Sequence, residues 1–189
     1  MEIENHIFKE SNYVKSPNFN NRPNSSDIRL IVIHCISLPP NNYGGDYVKD
    51  FFLNKLEHSE DEYFEGIKDL KVSCHLFINR TGELLQFVPF DKRAWHAGES
   101  AYKGEVNCND YSIGIELEGN EIDPYTDEQY ISLIEVTREL INFYPKVNSQ
   151  NIVGHSDIAP DRKTDPGKSF DWKRYCLLYT SPSPRDSMT

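Results

Sequence analysis

The stretch IRLIVIHC, Ile28 to Cys35, is an aliphatic, largely β-branched run, interrupted only by Arg29 and closed by a histidine and a cysteine. A strand apolar on both faces has no side to offer to water, so it must lie inside a sheet that other elements cover on each side. This requires a layered domain and puts His34 at the C-terminal end of a central strand. At 189 residues with 38% hydrophobic content, the chain is long enough for one such domain and short of two.

The rest of the chain supplies the layers. GGDYVKDFFLNKLE reads as a helix, preceded by the loop ISLPPNNYGG, and VSCHLFINRTGELLQFVPF reads as a hairpin turning through Asn79–Gly82. YSIGIELEG alternates, with Ile113, Ile115 and Leu117 on one face and Ser112, Gly114, Glu116 and Glu118 on the other. A glycine beside a glutamate on one strand face fits the floor of a cleft, and equally a solvated sheet face. TDEQYISLIEVTRELINFYP is the best helix, with a capping box at Thr126 and Gln129, an apolar stripe from Tyr130 to Tyr144, and Pro145 to end it. NIVGH then delivers His155 at a strand end. The order predicts an α/β (α+β) fold, a single layered domain with a central mixed β-sheet flanked by helices, over residues 1–175. CLLYTSPSPRDSMT shifts to serine and proline without periodicity, so residues 176–189 are expected to form a non-native or disordered tail.

Charge narrows the function. Twenty basic against thirty acidic residues give a net charge of −10 and a pI near 5.0, which disfavours nucleic acid and anionic membrane as partners. The longest apolar run, Leu30–Ile33, is far short of a membrane span, and the polar N-terminus lacks a signal-like apolar region. A cytoplasmic location is expected. Cys35, Cys74, Cys108 and Cys176 form no CxxC pair and are expected as small buried thiols.

The chemistry concentrates in GHSDIAPDRKTDPG, Gly154 to Gly167, which holds a histidine, three aspartates, a lysine and an arginine between two glycines and around two prolines. His34, His155 and Asp165 together make the nitrogen and oxygen donor set of a catalytic zinc, leaving a fourth position for water. Spacing alone supports this weakly, because the two histidines are far apart and no helix of the HExxH kind holds two ligands together.

That loop, with VIHCISLPPNNYGG, VSCHLFINRTGELLQFVPFDKRAWHAG and CNDYSIGIELEG, resembles the AmpD family of N-acetylmuramoyl-L-alanine amidases, from about Ser16 to Tyr175. The resemblance implies the amidase/peptidoglycan-recognition fold and a Zn2+ cofactor on His34, His155 and Asp165. It implies Glu116 as the carboxylate that moves protons and Lys163 as the cation that stabilises the oxyanion. It also implies hydrolysis of the lactyl–L-Ala amide of (1,6-anhydro)muropeptides in peptidoglycan recycling, with a peptidoglycan fragment as substrate. A wall-lysing phage or secreted amidase, and a peptidoglycan-binding module without activity, are the alternatives.

On the substrate side the resemblance points to Trp95, His96, Lys71 and His75. Trp95 reads as a platform for a sugar face or as a core indole; His75 reads as a structural histidine behind the site or one facing substrate. Where relatives commonly carry asparagine after the first ligand, this chain has Cys35, expected to face away from what His34 binds. Basic positions that relatives use towards the stem peptide appear here as Lys71 and Asn107, which weakens any bidentate grip on a carboxylate. Ser156 in GHSD is not on a nucleophile elbow and takes no such role.

Overall fold

The computed structural model describes residues 1–180. Its framework is a six-stranded sheet with strands β1 (Asn12–Tyr13), β2 (Leu30–Ile36), β3 (Leu76–Ile78), β4 (Leu84–Gln86), β5 (Ser112–Glu118) and β6 (Ile152–Gly154), in the order β6-β2-β5-β3-β4-β1. Strand β2 is parallel to both β6 and β5, β5 is parallel to β3, and β3 and β4 are antiparallel. The sheet is mixed, as expected, and the IRLIVIHC run is interior to it, with Leu30 to Ile33 fully buried.

Side-chain alternation gives the two faces different jobs. On one, Ile31 and Ile33 of β2, Ile113, Ile115 and Leu117 of β5, and Leu76 and Ile78 of β3 pack with Tyr130, Leu133, Val136 and Leu140 of helix α3 (Asp127–Phe143). Each of these buried side chains contributes about 1.5–3 kcal/mol relative to exposure. The capping box is present as predicted: Thr126 Oγ1 accepts from Gln129 N, and Gln129 Oε1 accepts from Thr126 N. The Gln129 amide also donates to the carbonyls of Ile78 and Glu118, tying the first turn of α3 to two strands.

The other face is split. Towards β3 and β4, helices α1 (Tyr47–Phe52) and α2 (Glu62–Ile67) cover Phe77, Leu85 and Phe87. Towards β6, Leu30, Val32 and Val153 pack with Ala97, Cys108, Tyr111 and Ile158. Between these clusters lies a polar strip on β2 and β5, where His34 and Glu116 stand in direct register.

Three elements differ from expectation. The α1 helix is only six residues long; Asn54 takes a positive φ two residues after it ends, which a continuing helix cannot accommodate. His155 opens a single helical turn, α4 (His155–Ile158), rather than closing a strand, with Asp157 accepting from Gly154 N. The last helix, α5 (Trp172–Thr180), runs past the composition break at 176, with buried Tyr175 and Tyr179 in the main core and the Tyr175 hydroxyl bonded to Thr137. The rest of the expected tail, 181–189, lies outside the described residues. No helix among those described is long and apolar enough to cross a membrane.

Candidate active site

The polar strip borders a cleft of about 470 Å³, with His34, Glu116, His155, Lys163 and Asp165 in its lining. Two of these come from strands and three from the loop after β6. That loop leaves the sheet beside β2, makes the α4 turn, and returns so that the Asp165 carbonyl accepts from Ser156 N. The return brings Asp165 back beside His155, ten residues earlier.

His34, His155 and Asp165 are 1%, 3% and 8% exposed. Their facing atoms form a triangle: His34 Nδ1 lies 2.9 Å from His155 Nδ1 and 3.2 Å from Asp165 Oδ2, and His155 Nδ1 lies 3.1 Å from that oxygen. Tetrahedral nitrogen and oxygen ligands about 2.0–2.1 Å from one ion are about 3.3 Å apart. Two imidazoles and one carboxylate at nearly that spacing, largely buried at the edge of a cleft, suit a divalent cation with one side left open. The far nitrogens are also engaged. His155 Nε2 donates to the Ala97 carbonyl at 3.1 Å, which leaves its Nδ1 lone pair facing the triangle, and His34 Nε2 meets His96 Nδ1 at 2.9 Å.

Electrostatics follow burial. His34 is pushed down to about 4, chiefly because burial disfavours the imidazolium. Burial alone would raise Asp165, but hydrogen bonds and charge from His155 and His34 hold its carboxyl well below the usual range. Glu116 is held well above its usual value by burial and then by the charge of Asp165. Its Oε2 is buried without a hydrogen-bond partner among the described residues. The Cys35 thiol is raised to about 12 by burial and packs partly against the main core; it is not in the group of donors close enough to share an ion.

A family model described as N-acetylmuramoyl-L-alanine amidase matches residues 24–168. The chain belongs to this amidase family. It is 50% identical over 174 residues to the 1,6-anhydro-N-acetylmuramyl-L-alanine amidase AmpD of Haemophilus influenzae, covering 92% of this chain and 95% of that protein. A crystal structure of an AmpD selenomethionine derivative superposes with a TM-score of 0.92 at 48% identity, covering 94% of this chain and 99% of that one. The amidase AmiD from Escherichia coli, solved with anhydro-N-acetylmuramic acid-L-Ala-D-γ-Glu-L-Lys, matches with a TM-score of 0.60 at 29% identity over 80% of this chain and 57% of its own.

Within this amidase framework the expected substrate-side residues separate. Trp95 is half-buried in the cleft lining, with its indole N–H donated to Asn20 Oδ1. His75 does not reach the cleft: it is wholly buried, its Nδ1 accepts from Gly114 N and its Nε2 donates to the Lys92 carbonyl, so both nitrogens serve the scaffold. Lys71 is exposed and lines a small separate depression near Leu56 and Lys68. Exposed Asn107, in the left-handed region before a 3-10 turn at Cys108–Asp110, is not in the cleft lining either. His96 lies at the cleft floor but is buried and bonded to His34 and to Ser112 Oγ, a partner of the donor set rather than a free face for substrate.

The sequence reading missed why position 114 is glycine. A Cβ there would lie 2.4 Å from His96 Cγ and 2.5 Å from its Nδ1. A lone glycine in an otherwise regular strand is the available signal, since it marks close approach by another group. Gly114→Ala is expected to cost about 1–3 kcal/mol, read as a lower denaturant midpoint, because His96 is tied to His34 and Ser112 and must break from them to make way.

Proposed function

We propose that this chain is a zinc-dependent amidase of the AmpD type, cleaving the amide between the lactyl group of (1,6-anhydro-)N-acetylmuramic acid and the L-alanine of its peptide during peptidoglycan recycling. The observation that carries the reading is the buried His34–His155–Asp165 triangle in one cleft with Glu116, whose Oε2 has no partner among the described residues. Relatives at about 50% identity carry that activity in their names. A cytoplasmic setting is part of the proposal and accords with four free thiols.

His34, His155 and Asp165 would hold the ion. When bound, it supplies a Lewis acid and a coordinated water acidified to near neutrality. Glu116, on the same sheet face as His34, takes the proton from the attacking water and delivers it to the amine, which must leave protonated. The burial that raises its proton affinity suits it to both halves of that transfer. Lys163 brings an ammonium to the same cleft to offset charge developing on the carbonyl oxygen. The apolar wall of Leu38, Phe51, Tyr63 and Leu70, with Trp95 near the floor, is the surface available to sugar and peptide.

The test is mass spectrometry of digests of soluble anhydromuropeptide and of whole sacculi, with zinc supplied or chelated. Peptide released from the soluble substrate in the zinc-supplied arm alone is expected. Release from sacculi in preference would favour a wall-lysing enzyme, and no release from either would favour a binding module. In the same assay Lys163→Ala is expected to lower turnover about a hundredfold while zinc content stays at the wild-type level.

A further inference from the structure

Both imidazoles of the donor triangle are held from behind by one dipeptide. His34 Nε2 meets His96 Nδ1 at 2.9 Å, and His155 Nε2 donates to the carbonyl of the next residue, Ala97. The dipeptide is fixed in turn by one side chain: Asn109 Oδ1 accepts from His96 N at 3.1 Å and from Ala97 N at 2.9 Å. Asn109 is buried, and the backbone around it is clamped by buried Arg22, which donates to the carbonyls of Asn109, Asp110 and Ser112.

Two more contacts close the assembly. His96 Nε2 lies 3.0 Å from Ser112 Oγ on β5, with the ring seated against Gly114. The Ala97 carbonyl also accepts from Arg162 Nη2 at 2.7 Å, from the loop that carries Lys163 and Asp165. From these contacts we infer that Asn109 is a positioning residue: by gripping His96 and Ala97 it presents the two outer hydrogen-bond acceptors that aim both histidine Nδ1 atoms at the metal. With Nδ1 turned to the ion, His34 Nε2–H donates to His96 Nδ1 and His96 Nε2–H donates to Ser112 Oγ, an unbroken chain from the ligand to β5. Outer partners of this kind set the tautomer and direction of metal-bound histidines, and losing one typically costs 10–100-fold in metal affinity. The inference rests on the zinc reading above.

The experiment is a zinc titration of purified, folded protein against a competing chromophoric chelator, with the ring 15N shifts of His34 and His155 recorded in the metal-free and loaded states. Asn109→Ala is expected to weaken zinc binding 10–100-fold and to disturb the Nε2–H signature of both rings. Asn109→Asp keeps an acceptor oxygen for both N–H groups and is expected to stay within a few-fold of wild type. Where Asn109→Ala fails to fold, Ser112→Ala decides, since it removes the last acceptor of the chain and is expected to weaken binding in the same direction. Unchanged affinity in folded Asn109→Ala, or equal losses in the Ala and Asp variants, would overturn the positioning role. Wild-type protein that takes up no zinc would instead overturn the metal reading itself.

Discussion

Glu116→Gln is expected to lower turnover by about 10²–10⁴-fold, the range for removing a positioned proton-transfer group, while making the metal-free protein more stable. The two effects have one origin. Glu116 is held well above its usual value by burial and by Asp165, so the folded state binds its proton more tightly than the unfolded chain does. Below about pH 4.5 the group is neutral in both states and costs nothing. As pH rises past that value the unfolded chain ionises freely, the folded chain resists, and stability falls. Glutamine has no such titration, and its buried amide costs less than a buried charge. Thermal melts of metal-free wild type and variant from pH 4 to 8 should therefore converge at the acid end and separate at neutral pH, with the variant higher. His34 bends both curves the other way, since stability from its neutral form is lost as pH falls from 6.5 towards 4, and it cancels in the difference. Curves that run parallel across the whole range would show that the Glu116 carboxyl is not perturbed.

Asp165→Asn is expected to abolish zinc uptake and reduce turnover by at least about 10³-fold, because the activated water and carbonyl polarisation are together worth several kcal/mol. The neutral carboxamide fills nearly the same volume, so the loop is expected to keep its path, including the backbone bond from Ser156 N to the Asp165 carbonyl. What it loses is the anionic donor that completes the triangle with two buried imidazoles 2.9 Å apart. Asp165→Cys restores an anionic donor of a type zinc accepts and is expected to recover part of the uptake. Metal content by atomic absorption, alongside the anhydromuropeptide assay, checks both. An Asn variant that retains full zinc would remove Asp165 from the ligand set.

Much of this arrangement was legible in the residues because local and global signals agree. The two-sided run at Ile28–Cys35, the alternation at Ser112–Glu118 and the Thr126–Gln129 capping box each announce their element, and each is present. His34, His155 and Asp165 could be named as a donor set from chemistry, but 121 and 131 residues separate His34 from the other two, so only tertiary structure brings them together. The roles of His75 and His96 were not legible, because a histidine within a strand or beside a tryptophan looks the same whether it faces substrate or scaffold. Their partners, Gly114 N and His34 Nε2, are 39 and 62 residues away. The short hairpins Ile3–Phe8 and Ala101–Val106 are built from two-residue strands, too brief to carry any period.

The floor and the wall of the cleft come from separate stretches of chain. The reacting groups stand on β2, β5 and the loop after β6, whereas Leu38, Phe51, Tyr63 and Leu70 of the apolar wall come from the stretch around α1 and α2, with Trp95 and Ile122 also in the lining. The part of the wall at residues 38–72 is thus laid down by chain that carries none of the reacting groups, so sequence change there leaves His34, Glu116, His155, Lys163 and Asp165 themselves unaltered.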